Sequence, residues 1–113
     1  MDDARQPNRV RGNTIRFIWT DGPTKGDTHE HVFHDDGSVE YAKVQGGAKP
    51  AKYTREKQYA AVKITDDVYV VSYLGSSGYT LTTVLNFRDK SITGFASGAK
   101  DWHPVKGRFE VVQ

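Results

Sequence analysis

At 113 residues the chain suits a single domain, and 36% hydrophobic residues with 11 glycines allow a real core with little to spare. The formal charge of +2 comes from 16 basic and 14 acidic residues that are scattered along the chain. Glu56 interrupts the densest basic stretch, Lys49, Lys52, Arg55 and Lys57, and no recognition motif accompanies it, so nucleic acid is not an expected partner. There is no cysteine, which excludes disulfides and thiolate zinc sites. No apolar run approaches the ~20 residues of a membrane helix, so no membrane partner is expected either.

Residues 1–12, MDDARQPNRVRG, are polar and aperiodic and read as a flexible arm. They hold no apolar stretch of the kind a secretory signal needs, which makes the cytoplasm the expected location. Residues 13–113 read as one β domain. The first strand is predicted over 14–20, with Ile15, Phe17 and Trp19 on one face. A turn, DGPTKGD, leads to a second strand over 28–34, with His29, His31 and Phe33 in phase. Asp35-Asp36-Gly37-Ser38 is a strong hairpin signal, and a third strand over 38–44 sets Val39 beside Tyr41. Residues 45–57 read as a long loop, broken by GGAKPAK, with at most a helical turn near its end. Strands over 58–65, 68–74, 79–87 and 91–97 follow, joined by short turns. A loop over 99–104 carries Trp102 and His103, and a last strand is predicted over 105–112.

This pattern makes the fold class all-β: an up-and-down antiparallel β-barrel of about eight strands. A flat meander would leave two edges open to aggregation, and closure removes them. Eight strands close to a barrel that side chains can fill or that can hold one small ligand. A β-sandwich, or a roll on one helix, has the same periodicity. The interior is expected to hold Phe17, Trp19 and Phe33, then Val39 and Tyr41, then Leu81, Leu85 and Phe87, and finally Phe95 and Phe109. The strand VYVVSYL is apolar on both faces, so its outer face is expected to be covered, by residues 53–59 or by a second subunit in a homodimer.

The segment GNTIRFIWTDGPTKGDTHEHVFHDDGSVEY, then TDDVYVVSYLGSSGYTLTTVLNF and ITGF, resembles the MoaF-like proteins. These are small bacterial barrels of the lipocalin-like calycin group, named through molybdenum cofactor biosynthesis protein F. The resemblance runs over residues 12–112 and implies a calycin/lipocalin-like barrel. It rests on hairpin patterns, not on a catalytic signature. No glycine-rich phosphate loop follows a strand and opens a helix, so no nucleotide cofactor is expected. Phenolic acid decarboxylases share the calycin barrel and use Tyr, Arg and Glu inside it. Here Arg16 and Glu30 lie in the phase opposite to Phe17 and Phe33, so that activity is not implied.

His29 and His31 share a strand face and could together grip a metal ion. A third ligand would have to come from Asp35 or Asp36, and no second His motif follows, so no metal is expected. Imidazole can donate or accept a hydrogen bond, which suits a ligand contact. Trp19, His29, His31, Tyr41 and Tyr73 are therefore the candidate ligand-binding residues, lining an aromatic cavity with a few polar groups. The expected function is binding of a small aromatic or apolar molecule inside the barrel. The same residues leave open an enzyme using His, Tyr and Glu for general acid–base catalysis, with no catalytic residue assignable. They also leave open a filled barrel acting through a dimer interface.

Overall fold

A computed structural model describes residues 8–46, 50 and 52–112, and shows one antiparallel sheet coiled into a nearly closed barrel. Among the described residues there are nine strands and no helix. In chain order they are β1 (Thr14–Asp21), β2 (Thr28–Phe33), β3 (Val39–Lys43), β4 (Thr54–Glu56), β5 (Tyr59–Lys63), β6 (Val68–Leu74), β7 (Thr80–Asn86), β8 (Ser91–Ser97) and β9 (Trp102–Val111). The spatial order is β4-β3-β2-β1-β9-β8-β7-β6-β5. Each strand pairs with its chain neighbour, β1 pairs with β9, and the single seam lies between β4 and β5. The Asp36-Gly37 hairpin forms as the sequence suggests: Gly37 has φ +94°, and the Asp36 carboxylate accepts bonds from both the N–H and the hydroxyl of Ser38.

The strand beyond the expected eight is β4, inside the segment read as a loop. Three residues are too few for periodicity to show, and it is pairing to Val39, Glu40 and Tyr41 that makes them a strand. The last strand begins at Trp102, earlier than expected, with Pro104 inside it. The last residue of β1 is paired with Lys106, so the start of β9 has only β8 as a neighbour, where a missing N–H is tolerated.

Nine of the ten expected interior residues face inward. Phe17, Trp19, Phe33, Val39, Leu85, Phe87 and Phe109 are buried, and Tyr41 and Leu81 pack on the same core. Phe95 is the exception, 48% exposed on the outer wall. The inward phase of β8 is Ile92, Gly94 and Ala96, which alternate with Phe95. Trp102 also lies outside, 64% exposed, edge-on to Phe95 at 5.6 Å between ring centres. The outer face of β6 is not covered by residues 53–59, since β4 pairs with β3 on the other side of the seam, and Leu74 is 73% exposed.

The two ends of the barrel differ. At one end Phe33, Tyr59, Tyr69, Phe87 and Phe109 fill the interior with edge-to-face rings. Residues 8–13 turn beneath them. Val10 is fully buried, Asn8 donates to the Ala61 carbonyl on β5, and Arg9 lies 4.4 Å over the Phe87 ring while bonding Asp67. The expected arm therefore includes a packed turn over 8–12, and its residues 1–7 lie outside the described residues. The middle of the 45–57 loop, residues 47–49 and 51, lies outside them as well.

Two glycines let neighbouring backbones come close. A Cβ on Gly94 would stand 2.0 Å from the Thr82 carbonyl oxygen, and one on Gly107 would stand 2.1 Å from that of Ile18. Such contacts mark positions where the sheet coils sharply to close. Gly107→Ala is expected to abolish or gravely weaken folding. Phe109→Ala should cost about 3–5 kcal/mol, as buried aromatic truncations do. Phe95→Ala should cost about 1 kcal/mol or less, the scale of a partly exposed aromatic contact. Urea unfolding of the three variants checks this, and equal losses for the two phenylalanines would overturn the outward placement of Phe95.

Candidate functional site

The other end of the barrel is open. Side-chain alternation brings Trp19 from β1, His29 and His31 from β2, Tyr41 from β3 and Tyr73 from β6 to one cavity of about 340 Å³. These are the five residues singled out from the sequence, and all five line it. Leu81, Ala96 and Val105 complete an apolar wall on β7, β8 and β9. His103 and Tyr79 sit at the mouth, with Pro23 and Thr24 across from them. Among the described residues no lysine or arginine lines the cavity.

His31 forms the floor. It is 1% exposed and stacks on Phe17 at 4.1 Å between ring centres, with Phe33 below and Tyr41 beside it. Its Nε2 shares a 2.9 Å hydrogen bond with the Tyr73 hydroxyl. Burial drives its pKa down to about 3, helped by the nearby His29 ring and partly opposed by the His29 backbone. The ring is therefore neutral at any ordinary pH. Its Nδ1 is the one fully buried side-chain nitrogen or oxygen without a hydrogen-bond partner among the described residues. Burial, and then Tyr41 and Glu56, push the Tyr73 hydroxyl far above its usual value.

His29 stands two residues nearer the mouth. Register pairs it with Phe17, which puts Trp19 on the diagonal. The Trp19 indole N–H donates to His29 Nδ1 over 2.8 Å. Burial lowers the His29 pKa, with Asp27 pulling it up and Lys43 pulling it down.

The third polar element spans the seam. Glu56, on β4, is 7% exposed and accepts three bonds: from the Tyr41 hydroxyl, and from the N–H and hydroxyl of Ser76 in the β6–β7 turn. Burial pushes this carboxyl up, but the three donors outweigh it and hold its pKa below the ordinary value. Glu56 thus ties the short edge strand to the turn across the seam and fixes Tyr41 at the cavity wall. Sequence reasoning missed it because its segment reads as a loop. His103 was missed because residues 99–104 read as a loop, and Tyr79 was not singled out although it opens the expected strand 79–87 in phase with Leu81. Both contact the Asp101 carboxylate at the mouth, His103 Nε2 over 3.2 Å and the Tyr79 hydroxyl over 3.0 Å, and His103 points inward only because β9 starts at Trp102.

Arg16 and Glu30 lie on the outer face, in the phase expected for them. They form a 2.8 Å ion pair, and the Tyr53 hydroxyl donates to the other oxygen of Glu30. They take no part in the cavity. Among the described residues no three His, Asp or Glu side chains are grouped as a metal ligand set. Nor is any helix among them long and apolar enough to cross a membrane.

Comparison with known proteins agrees with this architecture. Among solved structures, a crystal structure of a protein from Burkholderia vietnamiensis, provisionally named a beta-lactamase, superposes with a TM-score of 0.70 at 18% identity, covering 92% of this chain and 96% of that one. At that identity the likeness is one of fold. No curated protein matches the chain in sequence. The MoaF-like family model matches residues 24–110, from the β1–β2 turn almost to the end of β9. That match covers most of the sequence, and the chain belongs to the MoaF-like family.

Proposed function

We propose that the protein binds a small, flat, neutral aromatic or apolar molecule in the open half of its barrel. The observation that carries this reading is the cavity of about 340 Å³, walled by Trp19, Tyr41, Tyr73 and Leu81 and furnished with imidazoles. Its size lies at the lower end of small-molecule pockets, roughly 300–1,000 Å³, and its composition is of the same kind. A barrel filled by its own rings would leave no such space, so the cavity speaks against the purely structural alternative.

The electrostatics favour a neutral ligand. The His31 pKa is about 3 and that of His29 is lowered, so neither ring supplies a positive charge near neutrality. With no Lys or Arg on the wall among the described residues, a buried carboxylate would lack a partner there and pay the full cost of leaving water. The same values bear on the enzyme alternative. A general base works best with a pKa near the operating pH. The His31–Tyr73 pair has one member far below neutrality and the other far above it. That pair supports a neutral hydrogen-bonding role.

Titration calorimetry at pH 7 should show acetophenone or benzamide binding at least about tenfold more tightly than benzoate, the discrimination expected against an unpaired buried charge. Leu81→Trp, which projects a large ring into the cavity, should remove binding while the fold survives. Equal affinity for benzoate, or unchanged binding in Leu81→Trp, would defeat the reading.

The His31 environment also sets a pH dependence of stability. In the unfolded chain the imidazole takes up a proton below about 6.5, whereas in the folded barrel it stays neutral to about 3. Its contribution is intact above 6.5 and is lost as pH falls toward 3, by as much as about 4–5 kcal/mol. His31→Phe removes this component. Measured between pH 7 and 4, the variant should lose less stability than the wild type. Parallel losses would show that His31 is not the group responsible.

A further inference from the structure

The Trp19–His29 contact fixes more than a ring position. An indole N–H can only donate, so the His29 Nδ1 that receives it must present a lone pair. The proton of the neutral ring is therefore on Nε2. Trp19 is 4% exposed and cannot swing away without leaving the core, so the tautomer is locked by packing. The Nε2–H has no hydrogen-bond partner among the described residues, and it is not sealed in protein either. The ring that carries it lines the cavity.

From this we infer that His29 acts as a fixed hydrogen-bond donor to the ligand, and that the site selects neutral aromatic molecules carrying a carbonyl-type acceptor. The inference rests on the cavity reading above and sharpens it. Near this ring an acceptor gains a partner, whereas a ligand N–H or O–H meets another donor and loses the bond it had to water. Tyr73 adds no such bias. Its hydroxyl can donate to His31 and accept from the ligand, or the reverse, so it adapts where His29 does not.

Three bicyclic probes of similar shape test this: indene, with no polar group; indole, with a donor; and 1-indanone, with an acceptor. Binding is read by calorimetry to the wild type, His29→Phe and Trp19→Phe, with each affinity normalised to that of indene. His29→Phe should weaken 1-indanone about tenfold and leave indole unchanged or slightly improved, the scale of one hydrogen bond to a desolvated group. Trp19→Phe unlocks the ring, so the ratio of indole to 1-indanone affinity should rise several-fold over that of the wild type. Nitrogen-15 spectra of the imidazole give a readout independent of ligand: Nε2–H alone in the wild type, and a mixture of tautomers in Trp19→Phe. If the probes bind but respond alike to both variants, or if the wild-type ring is protonated on Nδ1, the inference falls and the cavity reading stands. If none of the three binds the wild type at millimolar concentration, both fall.

Discussion

Closure of the sheet is the constraint on which the rest of this molecule depends. A meander of nine strands has two edges, here β4 and β5, which are also consecutive in the chain. They do not pair as a ladder. The seam is held by separate fastenings: the Tyr59 N–H on the Gly37 carbonyl, Asn8 on the Ala61 carbonyl, and Ser76 on the Glu56 carboxylate. Two of the three are near the filled end, and the third is beside the cavity. An unpaired edge would expose backbone donors and acceptors, and each fastening covers part of it with an element already needed elsewhere.

The same closure divides the interior. Five aromatic side chains and the 8–13 turn occupy one end, and the rings are large enough that nothing further is needed to fill it. Toward the other end the inward positions of β8 and β9 become small, with Gly94, Ala96 and Val105 where β1 and β2 carry Trp19 and His29. The cavity is therefore a consequence of side-chain size along two strands. Gly94 and Gly107 serve both ends, since the coiling they permit brings β8 and β9 around to meet β1.

Much of this was legible in the sequence because alternation is a local signal. Phe17, Trp19, His29, His31 and Phe33 show their common face in two short segments, and a closed barrel turns a common face into a common cavity. Two things were not legible. Residues 54–56 become a strand only through pairing with β3, and no three-residue window carries that information. Phe95 was placed inside by the phase expected for its strand, yet β8 takes the other phase, with Ile92 and Gly94 inward, and at residue 94 a Cβ would collide with the Thr82 backbone of the neighbouring strand. The Trp19–His29 bond was hidden for a third reason. Both residues were picked out, but which of them meet depends on the register between β1 and β2, and a shift of two residues would keep every face the same while breaking that bond.

His31 marks where the two halves of the interior meet. A phenylalanine there would extend the aromatic floor and leave the Tyr73 hydroxyl without this partner; a lysine would need a counter-charge, and among the described residues no Asp or Glu lines the cavity. Imidazole satisfies both neighbours. One face stacks on Phe17 and the ring lies nearly parallel to Phe33, as another aromatic would, and its edge gives Tyr73 the partner that a buried hydroxyl requires. The cost is a group that must stay neutral, and burial enforces this. A floor of that kind holds a polar contact without holding a charge. Together with the tautomer lock on His29, it furnishes the open half of the barrel with two imidazoles whose part in the proposed binding role is hydrogen bonding rather than ion pairing.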